Sequence, residues 1–345
     1  MPRAPGFWWL PRPTLPARLL QPLGALYGAI TLSRMRQPGA DIGTPVLCVG
    51  NFVAGGAGKT PTAIALAGLL ARRGETPFVL MRGYGGRLSG PVEVDPERHA
   101  AADVGDEPML MARHARTVIA RDRLAGARLA RGLGASVILM DDGLQNPALA
   151  KRLKLAVVDG ASGAGNGLCL PAGPLRAPLA QQLEAIDAII VIGEGEPGVR
   201  VATLAQACRK SVLTARLEAD AAAAGQLRGR SVIALSGIGR PEKFAGTLQG
   251  VGATITAERV FADHHAYTPA DVASVLAEAE RIGAPVATTE KDWTKLAALW
   301  PAAAAERVIV VPVRLVFGEP ERVEALIAGS SGPAGAAQPQ QGRLG

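Results

Sequence analysis

The chemistry of this chain concentrates where a glycine-rich run bearing a lysine is followed by a pair of carboxylates. Residues 50–63 read GNFVAGGAGKTPTA, with Gly55, Gly56, Ala57, Gly58, Lys59 and Thr60 in the order of a phosphate-binding loop. Such a loop needs backbone N–H groups curled around phosphate oxygens, an ammonium group at the phosphates and a hydroxyl on Mg²⁺. The first glycine of the G-x-x-x-x-G-K-[ST] spacing is missing, and Val53 stands in its place. That substitution removes freedom at the entrance of the loop and leaves the tight turn its glycines. A merely structural turn has no reason to place Gly-Lys-Thr after an apolar run and before a helix, which is the context the motif requires. Farther along, SVILMDDG ends an apolar run in Asp141 and Asp142, where a phosphate-loop protein carries a carboxylate for its metal. One strand-end Asp is often a turn former. Two of them, one strand-turn-helix unit after a Lys-Thr loop, point to an Mg²⁺–nucleotide site with Thr60, Asp141 and Asp142 on the metal side.

Other segments supply groups that a phosphoryl-transfer site needs. GDEP (105–108) places Asp106 and Glu107 either as acids in the first turn of a helix or as a carboxylate able to take a proton from an attacking hydroxyl. RGYGG (82–86) sets Arg82 and Tyr84 in a glycine loop at the end of an apolar run, and LPAGPLRAPL presents Arg176 on a proline-stiffened turn. FADHHAY brings Asp263, His264 and His265 together, and an Asp–His pair on a loop is one way to orient or tune a base. TTEKDWTK, with its alternating charges, reads as a solvated strand cap.

Strand–turn–helix alternation must position these groups. PVLCVG, TPFVLM, SVILMD, KLAVVD and AIDAIIVIG read as buried strands, and PTAIALAGLLARRG as the helix after the loop. The fold class expected is α/β: a P-loop NTPase-like parallel sheet flanked by helices, with a second, smaller α/β domain where the pattern restarts near residue 230. In that second part, Thr268 is expected to cap the helix TPADVASVLAEAERIG. The divisions expected are 1–36 as a hydrophobic membrane-associating segment, 37–228 as the phosphate-loop domain, 229–328 as the smaller domain and 329–345 as a disordered tail.

Composition bounds the partners. The chain has 345 residues, 48% of them apolar, and a formal charge of +7 spread among arginines without a basic run or interleaved aromatics. This argues against nucleic acid as a partner and suits an anionic membrane or a phosphorylated substrate equally well. Cys48, Cys169 and Cys208 are odd in number and widely spaced, which indicates a reducing, cytoplasmic compartment. Near the N-terminus, Phe7, Trp8 and Trp9 precede an apolar stretch, Leu19 to Leu32, flanked by Arg18, Arg34 and Arg36. Its uninterrupted part is too short to span a bilayer. Two readings stay open there: an interfacial anchor, or a soluble helix packed on its own domain.

Taken in order, GNFVAGGAGKTP, RGYGG, GDEPML, DDGLQN, GNGLCLPAGPLRAPL, FADHHAY and TEKDWTK resemble the tetraacyldisaccharide 4′-kinase family over nearly the whole chain. In that family the loop also lacks the first glycine, so Val53 is a family variant. The resemblance implies transfer of the γ-phosphate of ATP, with Mg²⁺, to the 4′-hydroxyl of a tetraacylated glucosamine disaccharide 1-phosphate, a lipid A precursor, at the cytoplasmic face of the bacterial inner membrane. It implies a phosphate cradle at residues 55–60, with Lys59 and Thr60 holding phosphates and Mg²⁺. It further implies Asp106 as base, tuned by His264 beside Asp263, and acceptor contacts from Asn51, Arg82, Tyr84 and Arg176. It tips the N-terminal segment towards a membrane anchor, and a monomer is expected.

Two departures stand out. Asn146 ends the acidic motif where the family usually has His, and Ala177 replaces the Glu of Arg-Glu-Pro. Three rival readings are weaker. A membrane-associated ATPase switch carries a lysine where this chain has Ala54, a GTPase needs an Asn-Lys-x-Asp reader that TTEKD does not supply, and a diverged, non-catalytic paralogue rests on positions 146 and 177 alone.

Overall fold

The structure, a computed structural model, describes residues 4–331. Residues 1–3 and 332–345, with most of the expected tail, lie outside the described residues, while 329–331 continue the helix Pro320–Ser331.

Continuous apolar runs, rather than alternating ones, build the larger sheet, because helices cover both of its faces. Its strands in chain order are β1 (Val46–Asn51), β2 (Pro77–Met81), β3 (Val92–Glu93), β4 (Arg116–Ile119), β5 (Val137–Asp141), β6 (Leu153–Asp159), β7 (Ala188–Ile192) and β8 (Ser211–Ala219). The second sheet holds β9 (Ser231–Ser236), β10 (Thr254–Val260), β11 (Val286–Thr289) and β12 (Val308–Val311). A last strand, β13 (Val313–Phe317), follows at once. The order is β13-β8-β7-β6-β1-β5-β2-β4-β3 in the large sheet and β10-β9-β11-β12 in the small one. Every pairing is parallel except at the two edges of the large sheet, β3 on β4 and β13 on β8.

The α/β expectation holds, with differences in detail. RVIVVPV is two strands broken at Pro312, and only the first of them belongs to the small sheet. β13 crosses back to β8, and the helix after it buries Val323 and Ile327 in the core that also holds Leu66 of the phosphate-loop helix. The stretch 313–328, expected to complete the smaller unit, therefore closes the larger one. Proline explains the break: it cannot donate to a ladder, so the chain changes sheets there. Thr268 caps its helix as expected, in a reciprocal box with Asp271.

The N-terminal helix Leu15–Met35 lies on the larger unit through its small residues. A Cβ built on Gly24 would meet the Cys169 carbonyl oxygen at 2.7 Å, and one on Gly28 would meet Cys169 Sγ at 2.9 Å. Only glycine lets the helix approach so closely. Its other face leaves Leu15, Leu19, Leu23, Leu26 and Ile30 exposed. Among the described residues, no helix is long and apolar enough to cross a membrane.

Candidate active site

At the carboxyl edge of the large sheet, neighbouring strands end in the order Ile192, Asp159, Asn51, Asp141, Met81. The chain leaves β1 for β2 on one side and later reaches β6 on the other, the kind of switch point at which open α/β sheets bind ligands. The phosphate loop rises from β1 and feeds the helix Lys59–Arg72. Gly55 and Gly58 take φ of 110° and 92°, conformations that side chains disfavour, so the glycines lie where the turn needs them. Val53 answers a different demand. It is buried, forms a β-bridge with Leu175, and its carbonyl accepts from Arg176 Nε at 3.2 Å. Its neighbour Ala54 donates to the Pro174 carbonyl at 2.8 Å. An extended, zipped entrance suits a β-branched residue and does not call for glycine.

Asn51, expected against the acceptor, is wholly buried and braces the loop instead, donating from Nδ2 to the Gly55 carbonyl at 3.0 Å. Arg176, also expected at the acceptor, is a tie between three elements. It reaches Val53, Gln145 Oε1 at 3.2 Å and Asp142 Oδ2 at 3.1 Å.

The β1–β5 register pairs Val49 with Asp141, which sets the acidic pair beside the loop. Asp141 is 5% exposed and Asp142 adopts a φ of 51°, a strained backbone of the kind that collects at functional sites. Lys59 Nζ lies 3.8 Å from Asp142 Oδ1. Burial works against the charge of Asp142, but Lys59 and Arg176 outweigh it and hold that carboxyl below its usual range. Burial prevails at Asp141, pushing it up to about 7 despite Lys59, with Glu107 and Asp142 adding repulsion. Arg123, 5% exposed and tied to the Ala120 carbonyl at 3.1 Å, lowers both acids. Nothing in the ARDRL stretch marked it beforehand.

The buried Oδ1 atoms of both acids have no hydrogen-bond partner. Orphaned carboxylate oxygens beside a lysine-bearing phosphate loop fit a hard divalent cation. Among the described residues, no cluster of three or more His, Cys, Asp or Glu offers a complete metal cage. Thr60, second residue of the loop helix, is half-buried there.

Across the cleft, the second unit reaches the first at Asp106. This residue opens the helix Asp106–Ala112 and is 7% exposed. His264 Nδ1 lies 3.0 Å from its Oδ2, and Lys291 and Lys295 each place Nζ at 3.9 Å. Burial opposes the charge on Asp106, but the His264 hydrogen bond and the two ammonium groups bring its carboxyl down to about 2. The same bond raises His264. His264 has φ of 61°, and Asp263 Oδ2 stands 3.8 Å from its Nε2.

TTEKDWTK is no solvated cap. Lys291 and Lys295, one turn apart in the helix Glu290–Leu296, both face Asp106, while Asp292 between them is wholly buried under Tyr267 and Gly237. The i,i+4 lysine spacing was visible in the sequence; the carboxylate it serves lay too far along the chain to be matched with it. Tyr84 is 53% exposed with its ring 6.1 Å from that of His264, and Arg82 is exposed at the same edge. Both are free to meet an acceptor. Of the two departures, Asn146 caps a turn by accepting from the Ala148 N–H at 2.9 Å, and Ala177 is wholly buried beneath Gln182.

The folded state raises Asp141 from 3.8 to about 7, so its contribution to stability is full below about pH 4 and is lost as pH rises through about 7. Metal-free wild type should therefore lose Tm between about pH 4 and about pH 7.5 by more than Asp141→Asn does, and Mg²⁺–ATP should restore only the wild type. Parallel Tm profiles for the two proteins would show that Asp141 carries no such strain.

Known proteins resemble this chain along most of its length. The LpxK family model, Tetraacyldisaccharide-1-P 4′-kinase, matches residues 16–331. The tetraacyldisaccharide 4′-kinase of Methylobacterium nodulans is 55% identical over 319 residues, covering 92% of this chain and 93% of its own length. That of Rhodopseudomonas palustris strain BisB18 is 56% identical over 310 residues, covering 90% of both. The crystal structure of LpxK from Aquifex aeolicus in complex with ATP superposes with a TM-score of 0.71 at 25% identity, over 92% of this chain and 99% of that one. A family model matched over nearly the whole chain, and relatives more than half identical to it, show that this chain belongs to the tetraacyldisaccharide-1-P 4′-kinase family.

Proposed function

We propose that this chain transfers the γ-phosphoryl group of ATP to the 4′-hydroxyl of a tetraacylated glucosamine disaccharide 1-phosphate in lipid A biosynthesis, working at the cytoplasmic face of the inner membrane. The observation that carries the reading is the contact between Asp106 and His264, made by two separate sheets at the edge where the phosphate loop opens. Family membership and the likeness to an ATP-bound LpxK support it.

In the reaction, the acceptor O4′–Pγ bond forms as the bond from Pγ to the β-phosphate bridging oxygen breaks, and ADP leaves. The hydroxyl proton passes to the Asp106–His264 pair. A carboxyl held near 2 is a weak base. That is sufficient here, because in a loose transition state the alcohol gives up its proton late, when its own acidity has risen. What Asp106 contributes first is orientation: Lys291, Lys295 and His264 fix its carboxylate so that one oxygen is aimed. Lys59 and the loop amides hold the phosphates, and Arg176 keeps the loop entrance registered against Asp142. Thr60, Asp141 and Asp142 would hold Mg²⁺, which when bound neutralises charge on the β- and γ-phosphates. Because the base is completed by a residue of the second unit, an open cleft is a poor hydrolase.

The exposed row Leu15, Leu19, Leu23, Leu26 and Ile30, with Trp9 before it and exposed Arg18, Arg34 and Arg36 around it, suits the acyl boundary of an anionic leaflet. The helix lies on the membrane in this reading, and the buried small-residue face keeps it joined to the loop that carries Arg176. The acceptor's acyl chains stay in the bilayer while its sugar reaches the cleft.

Two measurements check these statements. Purified protein in detergent, given Mg–ATP and tetraacyldisaccharide 1-phosphate, should yield the 4′-phosphorylated product, and Lys59→Ala should lower kcat by about a hundredfold or more. No product from wild type that still binds ATP would overturn the assignment and favour a diverged paralogue. In flotation with vesicles containing anionic phospholipid, wild type should rise with the lipid. A Leu19→Asp, Leu23→Asp protein should stay at the bottom with its Tm unchanged, since both side chains already face solvent. Equal flotation of the two would remove this face from membrane binding.

A further inference from the structure

The second unit touches the first at another place, on the opposite flank of the phosphate loop. Asp159 ends β6, the neighbour of β1 on the side away from β5. Its side chain is 3% exposed. Oδ1 accepts from the Ala161 and Ser162 N–H groups at 3.1 Å and from Arg240 Nη1 at 2.9 Å, while Oδ2 is paired with Lys243 Nζ. Both cations come from the start of the helix Pro241–Gly250 in the second unit. Around the carboxylate, the β6 and β7 loops are crowded, and a Cβ on Gly160 would stand 2.4 Å from the Gly193 carbonyl oxygen. The acid therefore sits on a rigid floor.

Arg240 and Lys243 are joined to the Asp106 side by short, stiff links. Gly237 donates from its N–H to Asp292 Oδ2 at 2.9 Å, and Asp292 lies in the helix that carries Lys291 and Lys295. A Cβ built on Gly239 would lie 3.3 Å from Asp263 Oδ2, next to His264. The turn bearing Arg240 and the loop bearing His264 are thus in contact, and a shift of one displaces the other. If the units parted, Asp159 would lose both charged partners and keep only its two backbone donors.

We propose that Asp159, Arg240 and Lys243 are positioning residues for phosphoryl transfer: a buried ionic latch that seats the second unit on the sheet edge so that His264 meets Asp106. The cleft is then held at two points, with the phosphate loop between them. The latch acts on the alignment of the base. The inference rests on the kinase reading for its effect on turnover, and on geometry alone for its effect on closure.

The test uses the full chain with both cations removed, Arg240→Ala with Lys243→Ala, beside the charge-preserving Arg240→Lys with Lys243→Arg and the single Asp159→Asn. Asparagine keeps an acceptor for the two backbone N–H groups while removing the charge. The double-alanine protein and Asp159→Asn should lose about tenfold or more in kcat, because a misplacement of the order of 1 Å at the base is costly, with KM for ATP within about threefold of wild type. The charge-preserving pair should keep most of the turnover. Nitroxide labels on exposed Arg200 and Glu258, one in each unit, with Cys208→Ser, should show one narrow distance in wild type and a broadened distribution in the double-alanine protein. Unchanged turnover, or an unchanged distance distribution, overturns the latch. Absence of transfer by wild type refutes the kinase reading instead, and the label distances still decide whether the latch closes the cleft.

Discussion

A buried carboxylate at the end of β5, Asp141, and a half-buried one just after it, Asp142, constrain nearly everything around them. A buried acid without a partner is untenable, so the chain must surround Asp141 and Asp142 with cations or leave one protonated. It does both. Lys59, Arg176 and Arg123 hold Asp142 charged, while Asp141, deeper and beside Asp142 and Glu107, is lifted to about 7. The position of Lys59 depends on the glycine turn, that of Arg176 on the bridge between Val53 and Leu175, and that of Asp141 on its register with Val49. What remains unsatisfied is a pair of oxygens suited to a metal that arrives with its nucleotide.

Much of this could be read from residue order alone, and the parts that could are local. The loop, the acid pair, the cap at Thr268 and the acid-first helix at Asp106 each declare themselves within a few residues. Apart from Asn51, the positions whose role the structure changes are those whose partners lie far along the chain. Asn51 belongs to a contact motif by sequence, yet its side chain turns inward to a carbonyl four residues on. Lys291 and Lys295 looked like solvated charges because Asp106 is nearly two hundred residues earlier. β13 looked like the end of the small sheet because the apolar run hides Pro312, where the chain changes sheets. Arg123 and Asp159 carried no pattern at all; only the strand order makes them neighbours of the loop.

The division of labour between the two units follows from the same economy of charge. The larger unit holds the nucleotide end of the cleft and a carboxylate, Asp106, that is wholly its own. The smaller unit brings three cationic or titratable groups, His264, Lys291 and Lys295, to that carboxylate, and two more to Asp159. Closure therefore pairs buried anions of one unit with cations of the other at both flanks of the phosphate loop. An arrangement of this kind makes the competent geometry of the proposed base a property of the assembled cleft, which is where a kinase that must avoid hydrolysing ATP in water needs it.

Asp106 and His264 are proposed to act as one unit across the cleft. A double-mutant cycle on kcat measures this directly, using Asp106→Ala, His264→Ala and both together. Groups that act jointly lose their function once, so the double variant should turn over about as fast as the slower single variant. Losses that multiply, with the double variant slower by the product of the two single effects, would contradict the account and make the contact between them a matter of packing alone.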